Sequence, residues 1–355
     1  LGSGDTAIDY FTYTVSDGVA TDTAQLKITV IGVGNTAPVA RNDVGVIAED
    51  ETLSVSDGSD QNLVPGQGTT IDISGEHSGD VINTSSTTHY DTDADGDTIV
   101  VSSVRTGSSE GSGTAGTLGQ ALTGTYGQLT LNANGSYTYV ANQTAADALD
   151  LNDEVTDVFN YTISDGNGGT DIGTITITVI GVNDTPAAQN DVGVIAEGST
   201  LTVANSANAT LTGDSYDATG ENSGDLIDTS SASHTDSDAD ASSSLSITHI
   251  KLSGGSNSTV ASSSSYNSNG TSITGTYGTL TIGADGSYTY AATTDATNAL
   301  DSGESASDTF VYTLSDGTAI TTANLTITVL GSNDAPVAQN DVGVIAEDST
   351  LTVSD

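Results

Sequence analysis

An alternating run of aspartates is the part of this sequence best suited to chemistry. Asp91, Asp93, Asp95 and Asp97 form the pattern D-x-D-x-D-G-D, in which Gly96 precedes the last aspartate. In a tight loop, alternate residues direct their carboxylates toward a common centre, and Ca²⁺ binds about six to eight such hard oxygens in flexible geometry. The pattern therefore predicts a calcium site, and the competing interpretation is an acidic turn that only water solvates.

A second, shorter run follows the same alternation. It contains Asp236, Asp238 and Asp240, but Ala241 and Ser242 stand where the first run has its glycine and its last aspartate. We therefore expect the second site to bind calcium more weakly. The closing glutamate of an EF-hand loop is missing from both runs, so helix-loop-helix calcium sensing is not predicted.

Three aspartates that precede glycine need a separate interpretation. Asp17, Asp165 and Asp316 each begin an Asp-Gly pair after a strand-like segment. Aspartate before glycine is ordinary turn chemistry, because its side chain hydrogen-bonds to the backbone of the turn. We interpret these residues first as turn residues, with calcium ligation as the alternative.

Catalytic patterns are weak in this sequence. The G-x-G-x-x-G string at 111–116 is followed by no helical pattern, and the G-x-S-x-G nucleophile elbow of serine hydrolases is missing. The chain has no Trp and three Phe, so it offers few aromatic side chains on which a sugar could stack in a cleft. His89 and His234 precede the acidic runs, but calcium prefers oxygen, so we expect a loop hydrogen bond from each. An enzyme is not predicted.

The charge of the chain restricts its partners. It carries 47 acidic and 4 basic residues, a formal net charge of -43. Nucleic acid and anionic membrane surfaces are excluded as partners because phosphates could not be neutralised, and no apolar run could span a bilayer. Hydrophobic residues make up 35% of the chain in alternating runs, which argues against disorder. Bound divalent cations would offset the repulsion.

The compartment follows from cysteine usage and charge. The chain has no Cys, so disulfides and thiolate metal sites contribute nothing to its stability. Calcium at about millimolar concentration stabilises extracellular modules of this composition. We expect an extracellular protein whose export signal lies outside this sequence.

Internal repetition organises the chain. The octamer NDVGVIAE recurs at 42–49, 190–197 and 340–347, which defines a unit of about 150 residues. We predict the end of one repeat at 1–34, complete repeats at 35–184 and 185–334, and the start of another at 335–355.

The strand pattern within each unit predicts an all-β fold. Period-two runs of β-branched and aromatic residues occur at 98–104, 127–132, 136–140, 158–164 and 174–180. Asn134-Gly135 and Asp285-Gly286 are hairpin signals, and only 145–151 and 295–300 favour short helical turns. Many short strands with frequent turns are typical of a β-sandwich, whose core we expect Tyr and Phe at 126, 137, 139, 159 and 161 to fill.

Four strings carry a family resemblance. TDADGDTIVV at 92–101, GQLTLNANGSYTY at 127–139, FNYTISDGNGGT at 159–170 and TITVIGVNDTP at 176–186 resemble VCBS repeats. That family is similar to cadherin-like and bacterial immunoglobulin-like domains of very large secreted surface proteins. The resemblance implies tandem sandwiches in an adhesin or biofilm-matrix protein at the bacterial cell surface. Insertions at 57–90 and 204–235 lengthen this unit beyond the family pattern.

The same resemblance implies a second group of calcium ligands where repeats join. The Asn-Asp pairs ending at Asp184 and Asp334 resemble cadherin linkers, and Glu49, Glu197 and Glu347 resemble the first-strand glutamate of those domains. By this analogy Glu49 and Asp184 converge with Asp236 and Asp238. The first linker has Thr36 in the aspartate position, which implies a weaker clamp or none there.

Two functions fit these expectations. The first is a rigid spacer, in which calcium stiffens a repulsive chain so that it projects a distant binding domain. The second is a self-assembling extracellular fibre or sheath. An enzyme or lectin-like module is a third possibility, which these expectations favour least. The expected cofactor is Ca²⁺, and the expected partners are neighbouring repeats of the same chain, with other copies added in a fibre.

Overall fold

The computed structural model describes residues 1–2, 4–32, 34–58, 78–83, 88–206, 222–228 and 233–354. Their strands in chain order are β1 Thr6–Ser16, β2 Thr21–Ile31, β3 Asp43–Ala48, β4 Thr52–Val55, β5 Val100–Thr106, β6 Leu122–Thr123, β7 Gln128–Leu131, β8 Tyr137–Val140, β9 Glu154–Ser164, β10 Thr170–Ile180, β11 Asp191–Ala196, β12 Thr200–Val203, β13 Ser246–Leu252, β14 Ser258–Thr259, β15 Thr271–Thr274, β16 Thr279–Ile282, β17 Tyr288–Ala291, β18 Ser305–Ser315 and β19 Ile320–Leu330. One short helix, α1 Thr144–Asp147, precedes β9.

The chain divides into two compact units. The first comprises Leu1–Asp184 together with Ala239–Ser243, and the second comprises Thr185–Asp238 and Ser244–Asp355. The segment 239–243 therefore belongs to the first unit although it lies in the second sequence repeat. The four predicted domain ranges stay a prediction.

The first unit contains a sandwich of two sheets. One sheet has the order β3-β10-β9-β5 and the other has the order β4-β8-β7-β6. The chain passes from one sheet to the other between its first two strands in this sandwich. The strand β3 pairs in parallel with β10 in one sheet, and β4 pairs antiparallel with β8 in the other. This arrangement closes two layers over one core and places Asp43 at the start of β3.

Alternation in the sequence builds this core. Phe159, Tyr161 and Ile163 on β9 are fully buried, as are Tyr137 and Tyr139 on β8. Side chains of a strand alternate between the two faces of its sheet, so the period-two runs direct their aromatic rings to one side. The rings of Tyr139 and Phe159 meet edge to face with centroids 6.3 Å apart. Tyr126 packs against this core while half-buried.

The second unit repeats the architecture. Its sheets have the orders β11-β19-β18-β13-β14 and β12-β17-β16-β15, and β11 again pairs in parallel with β19. Phe310 and Tyr312 on β18 and Tyr288 and Tyr290 on β17 fill its core. The prediction of tandem cadherin-like or immunoglobulin-like sandwiches in an all-β chain is confirmed.

The hairpin of β1 and β2 shows what a β9–β10 pair looks like without its sheet partners. Phe11, Tyr13 and Val15 occupy the positions of the three buried β9 residues, yet they are 54%, 50% and 56% exposed. In the described part of the chain, no further strand pairs with this hairpin. The burial of the aromatic residues in the two sandwiches therefore comes from the opposing sheet.

Of the two predicted helical turns, one forms a helix and the other a non-helical turn. The predicted helical turn at 145–151 is realised as α1, whereas 295–299 forms a turn with a hydrogen bond from the Asn298 amide to the Thr294 carbonyl. Most of the insertions at 57–90 and 204–235 lie outside the described residues. Within the described ranges, α1 falls far short of the length and hydropathy that crossing a membrane requires.

Candidate metal sites

The acidic run at 91–97 has its carboxylates on one side of the loop. Asp91 is buried and Asp93, Asp95 and Asp97 are half-buried, while the residues between them are exposed. The Oδ1 atom of Asp93 accepts hydrogen bonds from the amides of Asp95 at 2.8 Å and Asp97 at 3.3 Å. These bonds close the loop into the tight form that the sequence predicts.

Asp93 and Asp97 meet the turn aspartate Asp165 in one candidate site. One carboxylate oxygen from each of the three lies within 4.8 Å of the others. The Oδ2 atoms of Asp93 and Asp97 are buried and accept no hydrogen bond. Three carboxylates at this separation repel one another unless a cation lies between them, so the donor set fits a hard divalent ion.

Asp165 has the turn role that the sequence favoured, and it also lies beside two carboxylates of the acidic run. Its Oδ1 atom accepts from the amides of Asn167 at 2.7 Å and Gly169 at 3.0 Å, which is turn chemistry. Its Oδ2 atom accepts from Nδ2 of Asn35 at 2.7 Å, and this bond lowers the pKa of Asp165. The carboxylate is thereby kept ionised beside the acidic loop. The turn interpretation of Asp165 is confirmed, and calcium ligation by it stays a prediction.

A second candidate site in the first unit contains Glu49, Asp184 and Asp240. Their oxygens also lie within 4.8 Å of one another. Glu49 follows β3 and is 1% exposed, and its Oε1 atom accepts from the amide of Val182 at 2.5 Å. Its Oε2 atom is buried without a hydrogen-bond partner. An orphaned buried carboxylate oxygen beside two more carboxylates is the arrangement that a calcium ion satisfies.

Burial and like charges both act on Glu49. Desolvation, together with the charges of Asp184 and Asp240, raises the pKa of Glu49 to about 7 in spite of the bond from the Val182 amide, which lowers it. An acid in this position is stable either protonated or beside a cation. Any ion that bound here would be coupled to the ionisation of Glu49.

Asp240 is positioned by bonds to residues of the first sequence repeat. Its Oδ2 atom accepts from the amide of Asp184 at 3.0 Å. Ser242, next but one along the loop, donates from its amide and its hydroxyl to Asp150 at 2.9 and 2.5 Å. Both contacts lie within the first unit, and they anchor the segment 239–243 beside Glu49.

The sequence predicted different partners for Glu49. The analogy named Asp236 and Asp238, whereas the structure places Asp240 beside Glu49 and Asp184. Asp236 is directed into the second unit, where its Oδ1 atom accepts from the amide of Gln189 at 2.6 Å. Asp238 is half-buried in the second unit. Alternate positions of one loop look equivalent in sequence, and only the backbone bonds distinguish them.

The equivalent linker at the start of the first repeat lacks one carboxylate. The amide of Thr36 donates to the Oδ2 atom of Asp95 at 2.7 Å, which reproduces the bond from Asp184 to Asp240. Thr36 offers no carboxylate, and Asp95 belongs to neither carboxylate group of the described first unit. The expectation of a weaker clamp at this linker stays a prediction.

The remaining predicted ligands lie apart from these groups. Asp91 turns inward and accepts from the amide of Arg41 at 2.6 Å. Glu197 accepts from the hydroxyl of Ser332 at 2.6 Å, and its Oε2 atom is buried without a partner, which parallels Glu49. Asp334 and Glu347 are exposed.

The two histidines behave as expected. Nδ1 of His89 bonds to the carbonyl of Asn42, and Nδ1 of His234 bonds to the carbonyl of Asn190 at 2.6 Å. Each histidine therefore fastens its loop to the backbone just before β3 or β11. The prediction of a loop hydrogen bond is confirmed.

Sequence reasoning did not single out Asp80 and Asp225, which are fully buried in the two units. Both lie within the insertions and share the short string S-G-D-V/L-I at 78–82 and 223–227. The repetition of an aspartate between small and apolar residues was the signal that could have identified them.

A comparison with known families gives one match. Residues 35–181 match the family model described as a bacterial cadherin-like domain. The match spans the first complete sandwich and supports a cadherin-like fold for it. Domains of this kind suggest a structural or adhesive role outside the cell, and many of them bind Ca²⁺. No curated protein matches the chain.

Solved structures with a similar arrangement are distant. An endo-fucoidan hydrolase of glycoside hydrolase family 107 overlays with 14% identity and a TM-score of 0.25, covering 92% of this chain and 34% of its own. Mouse cadherin-23 EC22-24 has 11% identity, a TM-score of 0.36 and coverages of 92% and 74%. Protocadherin gamma B2 extracellular cadherin domains 3-6 have 11% identity and a TM-score of 0.33, and the match covers 93% of this chain and 59% of the protocadherin chain. The chain spans about a third of the hydrolase, and TM-scores this low carry no argument about its function.

Proposed function

We propose that this chain is a calcium-stabilised structural extension from a bacterial cell-surface adhesin or biofilm-matrix protein, built of VCBS-type repeats and without enzymatic activity. The observation that carries the proposal is the buried Oε2 atom of Glu49, which has no hydrogen-bond partner and lies in a group with Asp184 and Asp240. A divalent ion there gives the missing partner and neutralises the group.

Ion binding at this group would have a mechanical consequence. Asp240 comes from the second sequence repeat, whereas Glu49 and Asp184 come from the first. An ion that binds all three ties the segment 239–243 to the first repeat and restricts the linker after Asp184. Repeated along a longer array, such restriction turns an anionic string into a stiff spacer.

The charge of the chain supports the same role. A formal charge of -43 favours an extended chain in solution and opposes close packing of acidic loops. Calcium at extracellular concentration removes part of this repulsion where the carboxylates cluster. The spacer is accordingly proposed to work outside the cell, with neighbouring repeats as its partners and without binding nucleic acid.

Thermal unfolding of the chain in calcium and in chelator tests the proposal. An ion bound only by the folded state stabilises it by about 3 kcal/mol when calcium exceeds the dissociation constant about a hundredfold, so the midpoint should fall clearly in chelator. Asp240→Asn should reduce this shift, and the matched control Asp147→Asn, a half-buried residue on α1, should retain it. Equal midpoints with and without calcium would contradict the proposal.

Electron microscopy separates the spacer from the alternative of a fibre subunit. Thin rods of single-chain width in calcium favour the spacer, and ordered filaments of several chains favour lateral assembly. Chelator should increase the curvature of the rods if calcium restricts the linkers.

A further inference from the structure

Each complete repeat buries a second set of carboxylates that contributes no member to the groups described above. In the first unit the set consists of Asp43, Asp80 and Asp91, which are 1%, 0% and 1% exposed. We call it the interior set. Asp43 begins β3, Asp80 lies in the described part of the insertion, and Asp91 opens the acidic run. No proposed ligand of the Glu49 group belongs to it.

Each interior carboxylate has one oxygen satisfied by the protein. Oδ2 of Asp43 accepts from the hydroxyl of Tyr161 at 2.6 Å, and Oδ1 of Asp91 accepts from a backbone amide. Oδ1 of Asp80 accepts from the amides of Ile82 at 2.7 Å and Asn83 at 2.9 Å. These bonds hold the three side chains in place before any ligand binds.

The other oxygen of each carboxylate makes no hydrogen bond of ordinary geometry, although the Ser78 side chain still acts on Asp43 and the Gly58 backbone on Asp80. Oδ1 of Asp43, Oδ2 of Asp80 and Oδ2 of Asp91 are all buried without a hydrogen bond. Leaving a buried polar atom unsatisfied costs about 1–3 kcal/mol, and more when the atom is charged. Three such atoms in one core require a further group that interacts with them.

A non-acidic side chain gives independent evidence for such a group. The hydroxyl of Tyr137 is buried and makes no hydrogen bond, and burial together with the charges of Asp43 and Asp80 raises its pKa. This hydroxyl is therefore one more oxygen near the set that is free to contact a ligand.

The second unit reproduces part of the arrangement. Oδ1 of Asp191, Oδ2 of Asp225 and the hydroxyl of Tyr288 are again buried and unbonded. The hydroxyl of Tyr312 lies 2.9 Å from Asp191 Oδ2 and 3.3 Å from Asp236 Oδ2, which brings these two carboxylates together. Asp236 differs from Asp91, whose Oδ2 atom is unbonded. The two carboxylate oxygens and the hydroxyl that are unbonded in both repeats argue for a shared ligand.

The protein provides no buried cation for these sets. The chain has four basic residues, and Arg41, the one nearest the first set, is exposed and is replaced by Gln189 in the second repeat. A counter-ion must therefore come from solution. Carboxylate and hydroxyl oxygens select hard divalent ions, above all Ca²⁺.

We propose that each complete repeat binds a calcium ion in its interior, through Asp43, Asp80 and Asp91 in the first repeat and through Asp191, Asp225 and Asp236 in the second. Neither set is among the groups whose oxygens all lie within 4.8 Å, so at least one carboxylate binds through a water. The proposal goes beyond the extension role, because these ions stabilise a single repeat without its neighbour.

A cavity adjoins one member of the interior set in the first unit. Asp91 lines this cavity of about 320 Å³ together with Tyr90, Asp93 and Asp97. Its acidic lining attracts cations from solution.

Calcium stoichiometry of the full chain tests the interior sites. Equilibrium dialysis with elemental analysis should show that Asp80→Asn and Asp225→Asn each remove about one ion and that the double variant removes about two. Asn keeps the Oδ1 acceptor, so the loop bonds of Asp80 are retained. The matched control is Asp157→Asn, a buried carboxylate whose oxygens are already hydrogen-bonded, and it should retain every ion.

The outcomes distinguish this proposal from the proposed function. If Asp240→Asn loses an ion while the Asp80→Asn/Asp225→Asn double variant binds as many as the unaltered chain, the interior sites are wrong and the Glu49 group stands. The reverse pattern overturns the Glu49 group alone. If the interior variants do not fold, crystals of the unaltered chain grown in calcium decide, because anomalous peaks should lie beside Asp80 and Asp225. Featureless density there would overturn the proposal.

Discussion

Tyr139 donates a hydrogen bond of 2.7 Å to the buried carboxylate of Asp157, and this contact joins the two sheets of the first sandwich. Asp157 lies on β9 and also accepts from the amides of Thr125, Tyr126 and Gly127 in the turn between β6 and β7. Tyr290 and Asp308 repeat the contact at the same distance in the second unit. Four donors satisfy this carboxylate without an ion.

Asp157→Ala should destabilise the first sandwich by about 3 kcal/mol, because it leaves three turn amides and a buried hydroxyl without an acceptor. Urea unfolding, followed by tyrosine fluorescence, measures the loss. Glu154→Ala is the control, since Glu154 is exposed on the same strand and its removal should change stability by less than about 0.5 kcal/mol. Similar losses in both variants would show that Asp157 has no special role.

The contrast between Asp157 and Asp93 shows what the sequence could predict. The period-two pattern placed Phe159 and Tyr161 in the core and predicted the strands, because a strand with one buried face alternates apolar and polar residues. The acidic run was recognisable because its carboxylates are local in sequence. Asp157 and Asp80 could not be recognised from the sequence. A single aspartate between apolar residues looks the same in sequence whether it is exposed, bonded to a distant turn or buried. Asp240 was confused with Asp236 and Asp238 for a related reason, because the choice depends on long-range amide bonds.

Glu49→Gln should have opposite effects with and without calcium. In chelator it should raise the unfolding free energy by about 1–3 kcal/mol, because burial raises the pKa of Glu49 to about 7 and a neutral side chain avoids that cost. In calcium it should lower stability, because a ligand is lost. Thermal scans of this variant beside the exposed control Glu51→Gln measure both effects. A change of the same sign in both buffers would contradict a metal role for Glu49.

The calcium-free protein should lose stability as pH rises from about 4 to about 8. Burial raises the pKa of Glu49 from 4.5 to about 7 and that of Asp191 from 3.8 to about 8. Between these values the folded state holds protons that the unfolded state has released, so stability present at low pH disappears through the folded pKa values. Denaturant midpoints across this range test the sign. Saturating calcium should flatten the profile, and a calcium-free midpoint that rises with pH would contradict the assignment.

Gly135→Ala should destabilise more than Gly166→Ala. Both glycines have positive φ, at 91° and 77°, so each alanine carries a backbone penalty of about 1 kcal/mol. A Cβ at Gly135 would also lie 2.3 Å from Oδ1 of Asp80, whereas a Cβ at Gly166 meets nothing within 4 Å. The difference between the two variants therefore isolates the approach of the hairpin to Asp80. Equal unfolding free energies would mean that Asp80 moves aside without cost.

Asp93→Ala should weaken calcium binding about tenfold or more, while Asp17→Ala should leave it unchanged. The two aspartates separate ligand chemistry from turn chemistry. Asp17 accepts from the amides of Val19 and Ala20 at 2.8 Å, as Asp165 does in its own turn, but it belongs to no carboxylate group in the described residues. Asp165→Ala should therefore resemble Asp93→Ala in calcium titrations, although by turn geometry it resembles Asp17→Ala. If all three variants bind calcium equally well, the group formed by Asp93, Asp97 and Asp165 is a solvated acidic turn and the ion binds elsewhere.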